Sequence, residues 1–179
     1  MSDRPVLILT GPPGAGKTTT AAILADRVAA GVHLESDVFF SFIQGGHVEP
    51  WKPESHEQNR VVMGIVGEAA AAYAKAGYFT VVDGIVLPRW FLVPLRDALR
   101  AAGHRVAYVI LRAPLPTCTG RVQAREAVPL AEQEVVSKMW SQFEDLGEYE
   151  SHALEVDGRG PVEVADTIER LLADGSHLV

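Results

Sequence analysis

The chain has 179 residues and a formal net charge of −7, a size that is typical of one domain with a substantial core. Its Lys and Arg residues form no cluster along the sequence, which argues against a nucleic-acid partner because phosphate backbones are bound by basic surfaces. The single cysteine, Cys118, excludes an internal disulfide and indicates a reducing compartment. No signal peptide is recognisable and no apolar run is long enough to span a bilayer, so we expect a cytoplasmic protein without a membrane partner.

Short β-prone runs alternate along the chain with segments in which apolar residues recur at three- and four-residue spacing. One such helical stripe joins Val62, Ile65, Val66, Ala69 and Tyr73. The alternation predicts parallel strands connected by right-handed crossovers, with helices on both faces of one sheet. Ligands of such sheets bind beyond the carboxyl ends of the strands. The predicted strands are Val6–Thr10, Val32–Glu35, Phe79–Asp83, Val106–Leu111 and Ala153–Val156.

The first junction between a strand and a helix carries the sequence GPPGAGKT, which fills every fixed position of the phosphate-binding pattern G-x-x-x-x-G-K-[ST]. In this pattern, successive backbone N–H groups surround a β-phosphate at the positive end of the following helix. Lys17 is then expected to reach the β- and γ-phosphates, and the Thr18 hydroxyl to bind Mg²⁺. The predicted nucleotide-binding residues of this segment are Gly11, Pro12, Pro13, Gly14, Ala15, Gly16, Lys17, Thr18 and Thr19.

The third predicted strand ends in an acidic residue, within the sequence YFTVVDG. Asp83 is a candidate to hold Mg²⁺ through a water molecule or to orient the attacking hydroxyl. An Asp before Gly is also common in a turn at the end of a strand. The phosphate loop earlier in the chain favours the metal role over the turn role.

The early phosphate loop and the order of the elements resemble the small P-loop kinases. This group includes nucleoside-monophosphate, shikimate and gluconate kinases and chloramphenicol phosphotransferase. The segment SQFEDLGEYESHALEVDG is similar to the corresponding part of chloramphenicol phosphotransferase-like proteins. The resemblance implies one domain over residues 1–179, with a three-layer α/β/α P-loop NTPase fold and the strand order 2-3-1-4-5 of adenylate kinase. It also implies ATP and Mg²⁺ as cofactors.

Two further segments match this kinase group. The sequence GRVQAR places Arg121 and Arg125 four residues apart on one helical face. In the family, such arginines stack near the adenine and neutralise the transferring phosphoryl group, and the resemblance implies a short lid around residues 121–132. Without the family, the same pair is typical of a solvated basic face. The segment EVDGRGPVEVADTIERLL resembles the adenine-contacting loop and last helix of adenylate kinases, which implies contacts from Gly158 and Gly160.

The sequence HLESDVFF follows the second strand and places Asp37 at the same sheet edge as the phosphate loop. In the kinases that this chain resembles, an Asp here binds the acceptor hydroxyl and can act as the general base. A carboxylate within reach of a hydroxyl would orient it for attack and take its proton. The alternative is that Asp37 caps the short helix that contains Phe39 and Phe40.

Residues 38–60 match no pattern of the family and are predicted to form an insert that binds the acceptor. Aromatic residues there, together with Trp90, are expected to floor a pocket for a ring-bearing molecule; a surface loop with a buried Trp explains the same pattern. Only Lys52, Arg60 and Arg89 supply positive charge, which favours a neutral hydroxyl acceptor over a nucleotide. The candidate floor residues are Phe39, Phe42, Trp51 and Trp90, and the candidate substrate contacts are Asp37, Phe40, Trp51, Arg60 and Asp83.

Together, the motifs predict an ATP-dependent phosphotransferase whose catalytic residues are Lys17, Asp37, Arg121 and Arg125. The acceptor is expected to be a small molecule with a hydroxyl group, and antibiotics, sugars, nucleosides and metabolites all fit. Two alternatives stay open: a nucleoside-monophosphate kinase, and an ATP-binding switch that acts through a protein partner. The chain has no N-K-x-D motif for reading guanine, which argues against a GTPase.

Overall fold

A computed structural model describes residues 4–125 and 130–179 of the chain, with side chains at residues 4–124 and 133–179. Five strands form one parallel sheet in the order β2-β3-β1-β4-β5, which confirms the predicted fold. The first strand pairs with the third and the fourth, so the strand that carries the phosphate loop lies at the centre. The strands are β1 Val6–Thr10, β2 Gly31–Glu35, β3 Phe79–Asp83, β4 Val106–Arg112 and β5 Ala153–Glu155.

The crossovers between the strands contain helices, because parallel strands cannot be joined by a tight turn. Two short 3-10 helices, Pro53–Ser55 and Gly147–His152, lie in the connections before β3 and before β5. In the described part of the chain, no helix combines the length and the apolar character needed to cross a bilayer. The α-helices are α1 Lys17–Asp26, α2 Ser36–Ser41, α3 His56–Lys75, α4 Leu92–Ala101, α5 Leu115–Arg125, α6 Leu130–Ser141 and α7 Pro161–Asp174.

Side chains of the central strands alternate between two buried layers, as the two-residue period of a strand requires. In β1, Ile8 packs in the layer with α3 and α4, whereas Leu7 and Leu9 pack in the layer with α1 and α7. All three of these side chains are fully buried. Helices therefore cover both faces of the sheet, which is the usual condition of a parallel sheet.

The apolar stripe predicted for α3 is wrong at two positions. Ile65 and Tyr73 are 49% and 42% exposed. The buried face instead follows Val62, Val66 and Ala70, which recur every four residues and face the sheet and α4. Both misassigned residues are apolar and lie at helical spacing from true core residues, so the sequence pattern alone does not separate the two faces.

The last residues of the chain cover the part of β4 that β5 leaves open. Strand β5 pairs only with the end of β4, at Ile110 to Arg112. At the start of β4, Leu178 forms an antiparallel bridge with Ala107, and Val179 N donates a hydrogen bond of 3.0 Å to Val106 O. The tail thus satisfies backbone groups that an edge strand would expose.

Candidate active site

The phosphate loop follows β1 directly and ends where α1 begins. Its glycines at positions 11, 14 and 16 have positive φ angles, and a Cβ added at Gly14 would lie 2.3 Å from Cys118 O. Only glycine allows this close approach of the loop to α5. Inside the loop, Pro12 O accepts hydrogen bonds from Ala15 N and from Lys17 Nζ, both at 3.2 Å. The loop is therefore already closed on itself.

The first turn of α1 has the character of an anion site. It contains Lys17, Thr18 and Thr19 and carries no acidic residue. Free N–H groups and the helix dipole make such a turn favourable for phosphate. The glycine cradle and this turn fit the phosphates of a nucleotide, with the Lys17 amine at the mouth of the loop.

Helix α5 supports the same loop from the other side. Arg121 Nη1 donates a hydrogen bond of 3.3 Å to Gly14 O, so this predicted residue does lie at the phosphate loop. The side chain of Arg125 lies outside the described residues, and so do residues 126–129 of the lid that is predicted around residues 121–132.

The predicted adenine loop lies beside α5. Thr117 Oγ1 donates a hydrogen bond of 2.9 Å to Asp157 Oδ1. The next residue, Gly158, has a φ of 70°, and Gly160 directly precedes α7. The turn is thereby connected through α5 to the phosphate loop, and the contacts of Gly158 and Gly160 with adenine stay a prediction.

Asp83 ends β3 and is 2% exposed. His33 Nε2 lies 3.2 Å from Asp83 Oδ2. The other carboxylate oxygen, Oδ1, is buried and has no hydrogen-bond partner among the described residues. A buried carboxylate oxygen that lacks a partner is costly, and it fits a bound metal ion or a metal-bound water. Thr18 in the first turn of α1 supplies a second oxygen of the kind that Mg²⁺ prefers.

Asp37 lies in the first turn of α2, and the residue at the N-cap position is Glu35, so Asp37 is not the cap. The helix packs closely on the end of β3, because a Cβ at Gly84 would lie 2.2 Å from Ser36 Oγ. Although the residue as a whole is exposed, desolvation raises the pKa of the Asp37 carboxyl. The charge of Lys17 opposes this shift, and the charge of Asp83 adds to it. The charges of Lys17 and Asp83 thus both act on the Asp37 carboxyl at this sheet edge.

A cleft of about 910 Å³ opens next to this edge. Three separate segments form it: the end of the predicted insert with the start of α3, the loop after β3, and α6 with the residues that follow it. Trp51 is 43% exposed and lines the cleft together with Trp90. The side chains of this lining that carry charge are Lys52, Arg89, Glu134, Lys138, Asp145 and Glu148.

The other aromatic residues predicted for the acceptor site, the substrate contact Phe40 and the floor residues Phe39 and Phe42, do not line this cleft. Phe40 is 7% exposed and belongs to the core. Phe39 and Phe42 line a smaller apolar hollow between α2 and α3, and Phe42 is 67% exposed there. Phe40 thus faces the core, and Phe39 and Phe42 lie in a different hollow from Trp51.

Arg60 also lies away from the cleft lining. Its guanidinium is paired with the Glu57 carboxylate through two hydrogen bonds. Both side chains are more than half exposed. The pair is a local contact between residues three apart on one helix, and the same spacing of opposite charges can be recognised in the sequence.

Sequence reasoning missed the contribution of α6 and of the following 3-10 helix. Lys138, Gln142 and Tyr149 line the cleft opposite Trp51, about 90 residues further along the chain. No local motif marks Lys138, and the family resemblance of the segment that contains Gln142 and Tyr149 assigns them no role in the site. His33 was also missed. It lies two residues before Glu35 in β2, so the two side chains share one face of the strand, and Glu35 pairs in register with Asp83.

Comparison with known proteins identifies the architecture. The family model AAA_33, described as an AAA domain, matches residues 6–146, which include the phosphate loop, Asp37, Asp83 and Arg121. The chain belongs to this family of P-loop kinase domains. A shikimate kinase from Thermobifida fusca (strain YX) is 32% identical over 111 residues, which are 61% of this chain and 59% of that protein. The chain therefore matches less than two thirds of that relative's length.

Solved structures share the fold of the P-loop kinase domain. A sugar kinase from Janibacter sp. HTCC2649, unliganded, has a TM-score of 0.67 and 23% identity, with 96% of this chain and 95% of that chain covered. The APS kinase of Mycobacterium tuberculosis, in complex with AMPPNP and APS, has a TM-score of 0.70 and 16% identity, with 95% and 98% covered. At these identities the likeness concerns the fold alone.

Proposed function

We propose that this domain is a kinase that transfers the γ-phosphoryl group of ATP to a hydroxyl group of a small molecule. The observation that carries the proposal is that Asp37 lies in the first turn of α2, at the sheet edge that also carries the phosphate loop and the buried Asp83 carboxylate, whose Oδ1 has no partner among the described residues. The lining of the large cleft includes Ile85, two residues after Asp83. A phosphate-binding lysine, a carboxylate of raised pKa and a buried metal-type carboxylate are the parts that phosphoryl transfer needs.

Asp37 is the proposed general base. Its carboxylate accepts the proton of the acceptor hydroxyl while the hydroxyl oxygen forms a bond to the γ-phosphorus and the bond to the ADP oxygen breaks. A raised pKa makes a carboxylate a stronger base at neutral pH. Lys17 and Arg121 supply fixed positive charge to the phosphate oxygens, which stabilises the transition state.

Mg²⁺ bound by Thr18 and, through water, by Asp83 would supply further positive charge to the phosphates. The contact between His33 and Asp83 supports this assignment from the protein side. It fixes one carboxylate oxygen and leaves the other, buried oxygen for the metal site. Orientation by a second group is the usual support for a metal-binding side chain.

The cleft is the proposed acceptor site, and a neutral, ring-bearing acceptor fits it best. Its volume of about 910 Å³ is near the upper end of pockets that hold drug-sized ligands. Among the described lining residues, three cations and three carboxylates offset each other. An anionic acceptor would need an excess of positive charge, whereas Trp51 and Trp90 offer faces for a planar group.

The proposal is tested by measuring ADP release from Mg·ATP against a panel of acceptors. The panel holds shikimate, gluconate, APS, nucleoside monophosphates, nucleosides, sugars, and aminoglycoside, amphenicol and nucleoside antibiotics. We expect a neutral ring-bearing compound to raise ADP release far above the water background and to gain the mass of one phosphate. Reactions without acceptor or with excess EDTA are the controls. Phosphorylation of a nucleoside monophosphate instead would make the domain a monophosphate kinase. Tight ATP binding without transfer to any compound would contradict the proposal and favour a switch.

A further inference from the structure

One wall of the cleft is the loop between β3 and α4. The loop has little regular structure of its own: Trp90 N donates a hydrogen bond of 2.9 Å to Leu87 O, and Phe91 has a φ of 66°. Positive φ is unfavourable for a bulky residue, so contacts from outside the loop must hold its shape. The loop residues that line the cleft are Ile85, Leu87, Pro88, Arg89 and Trp90.

Two side chains of the sheet hold both polar backbone groups of Val86, at the centre of this loop. Val86 N donates a hydrogen bond of 2.9 Å to Thr10 Oγ1, and Tyr108 Oη donates one of 2.6 Å to Val86 O. All three residues are fully buried. Thr10 ends β1 and directly precedes the phosphate loop, so the two bonds tie the cleft wall to the strand that carries that loop.

Tyr108 also contacts the opposite wall of the cleft. Its ring lies edge-on to the ring of Tyr149, with the centroids 5.7 Å apart and an interplanar angle of 89°. The backbone of Tyr108 is held as well: its N–H donates to His177 O over 2.9 Å, and its carbonyl accepts from His152 Nδ1 over 2.9 Å. One buried side chain, itself locked in place, thus meets two walls of the cleft.

We propose that Tyr108 is a positioning residue for the acceptor, and that its hydroxyl, together with Thr10, fixes the loop of residues 84–91 relative to the phosphate loop. The inference rests on the proposed function, because it assigns the cleft to the acceptor. A tyrosine that only filled the core would need its ring, which Phe also has. The hydroxyl is required because Val86 O is buried, and a buried carbonyl without a partner is unfavourable.

The first arm of the test uses hydrogen–deuterium exchange and needs no acceptor. Tyr108→Phe removes only the hydroxyl, and Thr10→Val removes only the acceptor of Val86 N–H. We expect the peptide covering residues 84–91 to exchange about tenfold faster in both variants, while peptides from β1 and β4 exchange as in wild type. Thr10→Ser keeps a hydroxyl and should restore protection. Tyr78→Phe, an exposed tyrosine, is the matched control.

The second arm measures steady-state kinetics with the acceptor that the panel identifies. For Tyr108→Phe we expect the acceptor KM to rise about tenfold, with the KM for ATP within about twofold of wild type. A variant that was merely less stable would lower the active fraction and leave both KM values unchanged. Thr10→Ser should show a smaller rise than Thr10→Val, because the conservative change keeps the bond to Val86.

The two arms separate failure of this inference from failure of the proposed function. Unchanged exchange at residues 84–91 in Tyr108→Phe overturns the inference, whatever the domain phosphorylates. Faster exchange with an unchanged acceptor KM overturns it too, because the loop would then be held without positioning the acceptor. If wild type phosphorylates no compound, the proposed function fails. Isothermal titration calorimetry then measures the affinity of the panel compounds for wild type and for the two variants, and the comparison decides the positioning role.

Discussion

The phosphate loop and the proposed acceptor cleft both follow carboxyl ends of strands of the sheet, but they are built in different ways. The phosphate loop is made of backbone groups from one continuous segment, closed by bonds from Ala15 N and Lys17 Nζ to Pro12 O. The cleft is made of side chains from three segments that meet only in the fold. A site built from backbone groups keeps its shape as long as a few glycines are retained. A site built from side chains can acquire a different ligand when those side chains are substituted.

The two regions touch at a small number of places. Gly84 allows α2 to pack on the end of β3, which brings Asp37 to Asp83. Thr10 and Tyr108 hold the cleft wall against the strand of the phosphate loop. Changes in the phosphate region should therefore abolish all transfer. Changes in the cleft, or in the bonds to Val86, should affect the acceptor only, and a change at Gly84 should lower both stability and transfer.

The largest effect is expected for Lys17→Met. Loss of the amine at the phosphate loop should lower transfer by about 10²- to 10³-fold or more for every acceptor, because fixed charge on the phosphates carries most of the catalysis. ADP release measures this. Lys75→Met, at the exposed end of α3, is the matched control and should keep wild-type turnover. Residual activity above a tenth of wild type would contradict the role of Lys17 as the residue that binds the transferred phosphate.

Gly84→Ala tests the join between the two regions. The new methyl group would lie 2.2 Å from Ser36 Oγ, and overpacking of this kind costs about 1–3 kcal/mol of stability. We expect a lower denaturation midpoint and slower transfer, because α2 and Asp37 must move. Adding Ser36→Gly removes the obstructing atoms and should recover much of both losses. A double variant that is neither more stable nor more active than Gly84→Ala would show that the contact with α2 does not cause the two losses.

Trp51→Ala should affect the acceptor and leave ATP unaffected. Trp51 lines the cleft and is partly exposed, so its ring is available to a planar group. We predict an acceptor KM about tenfold higher and an unchanged KM for ATP. Tyr73→Ala serves as the control, because Tyr73 is equally exposed on the outer face of α3. Equal rises in both KM values would remove the distinction between the two regions.

The smallest effect lies away from both regions, at His177 in the tail beside β4. Burial lowers the pKa of His177 below its ordinary 6.5, and the charge of His152 lowers it further. The unfolded chain therefore binds a proton near pH 6.5 while the folded chain does not, so stability falls as the pH drops below about 6.5. Above that pH this group contributes no pH dependence.

Thermal unfolding between pH 7.5 and pH 5 checks this sign. His177→Gln should lose less stability over that range than wild type, because it has no buried imidazole to protonate. His47→Gln, at an exposed position, should follow the wild-type curve. A His177→Gln curve parallel to wild type would mean that the proton is bound equally in both states.

The sequence predicts the strands and the phosphate loop well, because each depends on local patterns, and the family resemblance supplies the strand order. A run of β-prone residues, the GPPGAGKT motif and an Asp at a strand end can each be recognised within a few residues. Asp37 is predicted from its place after β2 together with the family resemblance. All of these features lie within one short segment or directly follow a predicted strand.

The cleft could be predicted only in part, because its lining depends on which side of each element faces inward. Trp51 and Trp90 do line it, but Phe40 turns into the core and Arg60 pairs with Glu57. Lys138 comes from a segment with no motif, and the resemblance of the segment around Tyr149 to a known family assigns that residue no role. Likewise, Tyr108 reads as one apolar residue of a buried strand, and only the fold brings its hydroxyl to Val86.

The measurement that tests the account most directly is transfer and ATP affinity in Asp37→Asn, with Asp26→Asn, an exposed carboxylate at the end of α1, as the control. If Asp37 serves the acceptor, transfer should fall at least about 10²-fold, while the Kd for Mg·ATP stays within about threefold of wild type. Loss of ATP binding together with transfer would contradict the account. Asp37 would then belong to the nucleotide and metal half of the site, and the division between the two regions would be wrong.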